Sequence, residues 1–164
     1  MIRVATISDI PEMDELVLKC FGVRNSEHRA HPEYHVVYEE NGKIVAMTGM
    51  LYSEDYKATE IAYTCTHPDY RNHGIMHSLF DYMFKNKSKM LQWKSNNVYC
   101  SCWQVHGKER IHLYSLMRDF GFECIIPVRV TYKCGANCHF NESSCCNYIK
   151  DGCSCLERLY VKRF

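Results

Sequence analysis

The stretch that decides the fold is Thr64-Cys65-Thr66-His67-Pro68-Asp69-Tyr70-Arg71-Asn72-His73-Gly74-Ile75-Met76-His77. Behind it, residues 58–66 are rich in β-branched side chains and read as a strand. Ahead of it, Ile75, Met76, Leu79, Phe80, Met83 and Phe84 recur at helical spacing, so residues 72–84 read as a helix. A strand that turns directly into a helix aims backbone N–H groups at one point, and the positive end of the helix dipole lies behind them. Such a turn is an anion site. Gly74 lets a phosphate approach the backbone, and Arg71 adds a planar, permanently charged fork. The expected ligand is a phosphorylated cofactor. Pro68 precedes the helix, where its missing donor costs little.

Outward from this turn, residues 1–6 read as a first strand and residues 10–21 as a helix whose stripe is Ile10, Met13, Leu16, Val17, Cys20 and Phe21. Asp9 with Glu12 three positions on resembles a capping box. Residues 22–33 are polar and His-rich and read as a loop. Strands are expected over 34–38 and 43–52, joined by Asn41-Gly42, a strong short hairpin signal. After the central helix come a basic stretch at 85–89 and a fifth strand at 97–104. A helix follows at 108–120, with Leu113, Leu116, Met117 and Phe120 on one face and Gly121 in the C-cap position. Strands at 124–133 and 156–164 close the chain. The strand-helix-strand connections are expected to make neighbouring parallel strands.

The run Arg71-Asn72-His73-Gly74-Ile75-Met76 resembles the acetyl-CoA pyrophosphate loop of the GNAT superfamily of N-acetyltransferases, R/Q-x-x-G-x-G/A, departing from it at Met76. His67-Pro68-Asp69-Tyr70-Arg71 resembles the family's lead-in, and the order of elements fits nearly the whole chain. The resemblance implies an α/β (α+β) fold with a mixed, mostly antiparallel central sheet of about seven strands and helices on both faces. It also implies that the fourth and fifth strands splay apart around the pantetheine arm. One domain over residues 1–164 is expected, with a Cys-rich insert at about 134–155 between the last two strands.

The implied activity is transfer of an acetyl group from acetyl-CoA to a primary amine by direct attack. Cofactor binding is assigned to Arg71 and to the backbone at Asn72, His73, Gly74, Ile75, Met76 and His77. An oxyanion-stabilising main-chain N–H is assigned to the bulged fourth strand at Thr64, Cys65 and Thr66. An acceptor ammonium with a pKa of ~10.4 must lose a proton before it attacks. Glu60, eleven positions before Arg71, is the candidate base, as in the histone-acetylating branch. Strand alternation puts it on the face of Ala62, Thr64 and Thr66 if no bulge intervenes. Many members carry a tyrosine general acid at the position that here holds Met117. Tyr114, one turn earlier and nearly on the same face, is the substitute. A second reading is a non-catalytic acyl-CoA- or metal-binding module on the same fold, which Met76 and Met117 favour.

A net charge of +1 argues against a nucleic-acid footprint or a polybasic membrane patch. The apolar runs are too short to span a bilayer, and the first residues lack the features of a secretory signal. A cytoplasmic location is the expectation, with a small-molecule or peptide amine as partner and a monomer or homodimer as assembly. Among eleven cysteines, Cys134, Cys138, Cys145, Cys146, Cys153 and Cys155 cluster without a C-x2-C pair. Free or redox-sensitive thiols come first for these, a structural zinc is possible without being expected, and disulfides come last. His28, His31 and His35 would share a helical face, but Pro32 interrupts it. Cys65, Cys100 and Cys102 read as small buried hydrophobes.

Overall fold

Asn41 and Gly42 both take positive φ, 50° and 74°, the backbone of the tight turn whose twist matches paired strands. They join β2 (His35–Glu40) to β3 (Lys43–Ser53). The computed structural model describes residues 1–21, 31–104, 113–129 and 156–164. The chain divides into two compact units, Met1–Asn96 and Asn97–Phe164.

In the first unit β1 (Ile2–Val4), β2, β3 and β4 (Ala58–Thr66) pair in that order, each antiparallel to the next. Arg3, Val37, Met47 and Cys65 form one row across all four strands. That row faces α1 (Ile10–Phe21), whose Met13, Leu16 and Val17 pack with Val37, Met47 and Cys65. Alternation turns Val36, Ala46, Thr48 and Met50 to the opposite face, and all four are buried. That face is left for α2 (Ile75–Lys85), which contacts β2, β3 and β4 and buries Leu79, Phe80 and Met83. Burying each such side chain contributes about 2 kcal/mol. An 11-residue helix is too short to persist alone in water, so this packing is what holds α2 at the end of β4.

The start of α1 differs from expectation. Asp9 pairs with Thr6, taking its N–H at 2.7 Å and its hydroxyl at 2.9 Å in a turn over Ile7–Asp9. Glu12 instead accepts the Ile44 N–H at 2.7 Å. The β2–β3 register shifts between Tyr38 and Glu39, so Glu12 satisfies an amide near an irregularity in the ladder.

The second unit holds β5 (Asn97–Gln104), α3 (Tyr114–Asp119), β6 (Glu123–Arg129) and β7 (Leu156–Arg163). Here β5 and β6, the strands flanking α3, are not neighbours as expected. The last strand, β7, lies between them and is antiparallel to both. Pairing on both edges engages the backbone of β7 from two sides, which an edge position would not. Gly121, with φ 70°, ends α3 as read from the sequence, and Phe122 N–H returns to the Met117 carbonyl at 2.9 Å. Lys162 Nζ also donates to the Phe120 carbonyl at this helix end.

Among the described residues the chain carries the seven strands expected, in the expected sequence order with three α-helices. Most of the 22–33 loop, the start of the 108–120 helix and the Cys-rich run at 134–155, with its zinc question, lie outside the described residues.

Candidate functional site

The end of β4 is bent by a bulge. Opposite Met47 and Gly49 stand Cys65 and Ala62, so Tyr63 and Thr64 together oppose Thr48. Tyr63 takes φ 53°, the left-handed region that bulky residues rarely adopt. The Thr64 and Thr48 hydroxyls hydrogen-bond at 2.9 Å, which fixes the bulge from its side chain. A bulge takes one residue out of the ladder and re-aims its amide.

This bulge corrects the face assignment of Glu60. Glu60 pairs with Leu51 and Ala62 with Gly49, on the face that also holds Met47 and Cys65. Thr66, opposite Ala46, is on the other face. The single extra residue shifts the parity, so Glu60 shares a face with Ala62 and Cys65 but not with Thr66. Its side chain is half-buried.

After β4, Pro68–Tyr70 form one 3-10 turn, with Asp69 N–H held by His67 Nδ1 at 3.3 Å. Asn72 and Gly74 then take positive φ, 66° and 74°, and α2 begins at Ile75 rather than at 72. Gly74 is the N-cap, so no side chain caps this helix. The first helical bond runs from Ser78 N–H to the Gly74 carbonyl at 3.1 Å. The amides of Gly74, Ile75 and Met76 therefore stand ahead of the ladder, at the positive end of α2. A Cβ built on Gly74 meets nothing within 4 Å, so the space beside its Cα is open. Met76 is half-buried, and His73 and His77 are exposed.

Arg71 is exposed and its Nε donates to the Thr66 carbonyl at 3.2 Å, which ties the guanidinium to the end of β4 beside the helix start. The same carbonyl takes the Cys20 thiol of α1 at 3.3 Å. Nothing in the sequence pairs Cys20 with this loop; it read as one member of an apolar stripe. The Cys65 thiol, then Arg71 and Lys19, draw the Cys20 thiol down to about 7 against the opposing effect of burial.

His35, which spacing groups with His28 and His31, falls in the strand expected over 34–38 and lies on β2. It is buried, its Nδ1 lies 3.1 Å from the His31 carbonyl, and its ring lies 5.8 Å from that of Tyr63 at the bulge. In the second unit Tyr114 opens α3 and is 47% exposed, whereas Met117 is fully buried. Three positions on a helix differ by about 60°, enough to put one at the edge of the buried stripe and the other at its centre. Among the described residues no group of three or more His, Cys, Asp or Glu side chains is placed to hold a metal, and no helix is long and apolar enough to cross a membrane.

A bulged strand running into a glycine-capped helix start, with one arginine beside it, is an anion-binding geometry. The model of the acetyltransferase (GNAT) family matches residues 6–122, and the chain belongs to that family. Among curated proteins, it is 35% identical over 77 residues to the amino-acid acetyltransferase of Pasteurella multocida strain Pm70, covering 43% of this chain and 18% of that one. The chain thus spans about a fifth of the length of that relative. Among solved structures, the IAA acetyltransferase of Bacillus cereus superposes with a TM-score of 0.69 at 13% identity, covering 100% and 99% of the two chains. Rv2747 of Mycobacterium tuberculosis, solved in complex with CoA, superposes with a TM-score of 0.61 at 19% identity, covering 99% of each.

Proposed function

We propose that this protein is an acetyl-CoA-dependent N-acetyltransferase that moves an acetyl group from the thioester to a primary amine of a small molecule or peptide by direct attack. The observation that carries the reading is the glycine-capped start of α2 with Arg71 fixed beside it. The amides of Gly74, Ile75 and Met76 and the Arg71 fork take the diphosphate, with Asn72, His73 and His77 around them. The bulged backbone from Thr64 through Cys65 to Thr66 supplies the donor for the carbonyl oxygen as negative charge develops there. Glu60 receives the acceptor's proton, directly or through water, and Tyr114 returns one to the departing thiolate. The family match runs from residue 6 to 122, across the boundary of the two units, which supports one domain over 1–164. The CoA held by Rv2747 supports the donor. The name of the Pasteurella relative supports amino acids as the first acceptors to try.

The test is CoA thiol release from acetyl-CoA in the presence of amino acids, polyamines, aminoglycosides or a lysine peptide. Release above a no-protein blank with at least one amine is the expected outcome. Glu60→Gln should lower kcat about a hundredfold and move the remaining rate to higher pH. Binding of acetyl-CoA without turnover of any amine would overturn the enzyme reading, and an unaltered pH profile would remove Glu60 from it.

A further inference from the structure

Cys20, near the C-terminal end of α1, and Cys65, in β4, belong to one packed cluster with Met13, Leu16, Val17 and Met47. The two thiols are close enough to shift each other's ionisation, Cys20 downward and Cys65 upward. Cys20 Sγ and Arg71 Nε converge on the Thr66 carbonyl oxygen, at 3.3 and 3.2 Å. This places a dithiol, not a lone cysteine, against the side chain assigned to the diphosphate. We propose that Cys20 and Cys65 form a redox site, closed to an intramolecular disulfide by a hydroperoxide, and that Arg71 couples the reactivity of this site to occupation of the cofactor loop. The coupling rests on the diphosphate reading above; the dithiol does not.

The two sulfurs have different roles because their surroundings differ. Cys20 is half-buried and reachable, and its thiolate is favoured by the Cys65 thiol and by the charges of Arg71 and Lys19. Cys65 is buried, and both the neighbouring Cys20 and its burial hold it protonated. The Cys20 thiolate attacks the outer oxygen of the hydroperoxide and the O–O bond breaks. Cys20 becomes a sulfenic acid, and the alkoxide leaves and takes up a proton. The Cys65 sulfur then attacks the Cys20 sulfur, the S–O bond breaks, and the Cys65 proton goes to the departing hydroxide as water. Two thiols have lost two electrons, and the hydroperoxide has become alcohol and water.

Arg71 cannot serve the Cys20 thiolate and a diphosphate equally at once, since each draws the same positive charge. The two therefore oppose each other, and by linkage the opposition is reciprocal. Bound CoA slows Cys20, and ionised Cys20 weakens CoA.

The experiment uses the full chain with hydrogen peroxide as the oxidant and peptide mapping under non-reducing conditions. The expected product is a Cys20–Cys65 linked peptide that Cys20→Ser abolishes. In Cys65→Ser, dimedone should instead trap a sulfenic acid on Cys20. A Cys20 that stays reduced while other cysteines oxidise, or that pairs with a different cysteine, overturns the dithiol. The coupling is read from iodoacetamide labelling of Cys20 at neutral pH. Saturating CoA should slow it at least about fivefold, and Arg71→Ala should slow it without CoA. A labelling rate indifferent to both overturns the coupling. A rate that falls with Arg71→Ala but not with CoA leaves the dithiol standing and refutes the diphosphate assignment of Arg71 instead.

Discussion

Asp9 accepts four hydrogen bonds: Thr6 N–H at 2.7 Å, Thr6 Oγ1 at 2.9 Å, and Arg3 Nη1 and Nη2 at 2.6 and 2.8 Å. Arg3 is shared with Glu39, which its Nε and Nη2 reach at 3.1 and 2.9 Å. Asp9 is only 8% exposed, so the pairing is shielded from water. It differs in kind from Lys85 and Asp81, an equally short but exposed pair on α2 whose contribution is a few tenths of a kcal/mol. The Arg3 guanidinium, and then Thr6, hold the Asp9 carboxyl well below the usual carboxylate range. A carboxylate depressed on folding contributes stability that is present above its unfolded pKa of ~3.9 and is lost as pH falls toward the folded value. Asp9→Asn is accordingly expected to cost about 2 kcal/mol at neutral pH. The gap between wild type and variant should narrow by about 1 kcal/mol at pH 3. Urea unfolding at the two pH values checks this, and an equal gap at both would mean that the charge of Asp9 is not what stabilises the turn.

At the level of elements, β2 and β3 pair with His35 opposite Gly49. A Cβ at position 49 would lie 2.7 Å from both Cδ2 and Nε2 of the His35 ring, closer than packed atoms sit. Gly49→Ala should therefore destabilise by about 2 kcal/mol through overpacking, and His35→Ala should relieve it, so the double variant is less destabilised than the sum of the singles. Thermal unfolding of the four proteins measures that coupling; strict additivity would refute the contact. The pair also shows what the sequence could and could not tell. The Asn41-Gly42 turn, the stripes of α1 and α2, the Gly121 cap and the Gly74 loop were readable because each depends on residues a few positions apart. A bulge around Thr64–Thr66 came only from the family resemblance; residue patterning could not place it, because it exists only relative to Thr48 on another strand, and its position at Tyr63–Thr64 changed the face assigned to Glu60. The same holds for Cys20 against Cys65, for His35 against Gly49, and for β7 between β5 and β6. Local periodicity carries no signal for such partners. At the start of α1, Asp9 and Glu12 read as one capping box, but Asp9 pairs with Arg3 and Thr6 and Glu12 with the Ile44 amide, partners the local spacing does not show.

For the molecule as a whole, a net charge of +1 supplies almost no long-range attraction for a multiply charged coenzyme. On the proposed reading, affinity comes from the amides at the start of α2 and from Arg71. A ligand that binds only the folded state stabilises it by an amount set by its concentration relative to Kd, ~2.7 kcal/mol at a hundredfold excess. For a chain of this size that corresponds to a rise in Tm of about 5–10 °C. Arg71 is exposed and, among the described residues, its side chain bonds backbone at the Thr66 carbonyl, so Arg71→Ala should leave the Tm of the ligand-free protein within about 1 °C. The variant loses charge-assisted bonds to the diphosphate, which lowers affinity by about 10–100-fold. At the CoA concentration that gives wild type its full shift, the variant should then rise by half as much or less. Differential scanning fluorimetry of both proteins, with and without CoA, reads all four values. Equal shifts in the two proteins would mean that the helix amides hold the coenzyme without the guanidinium.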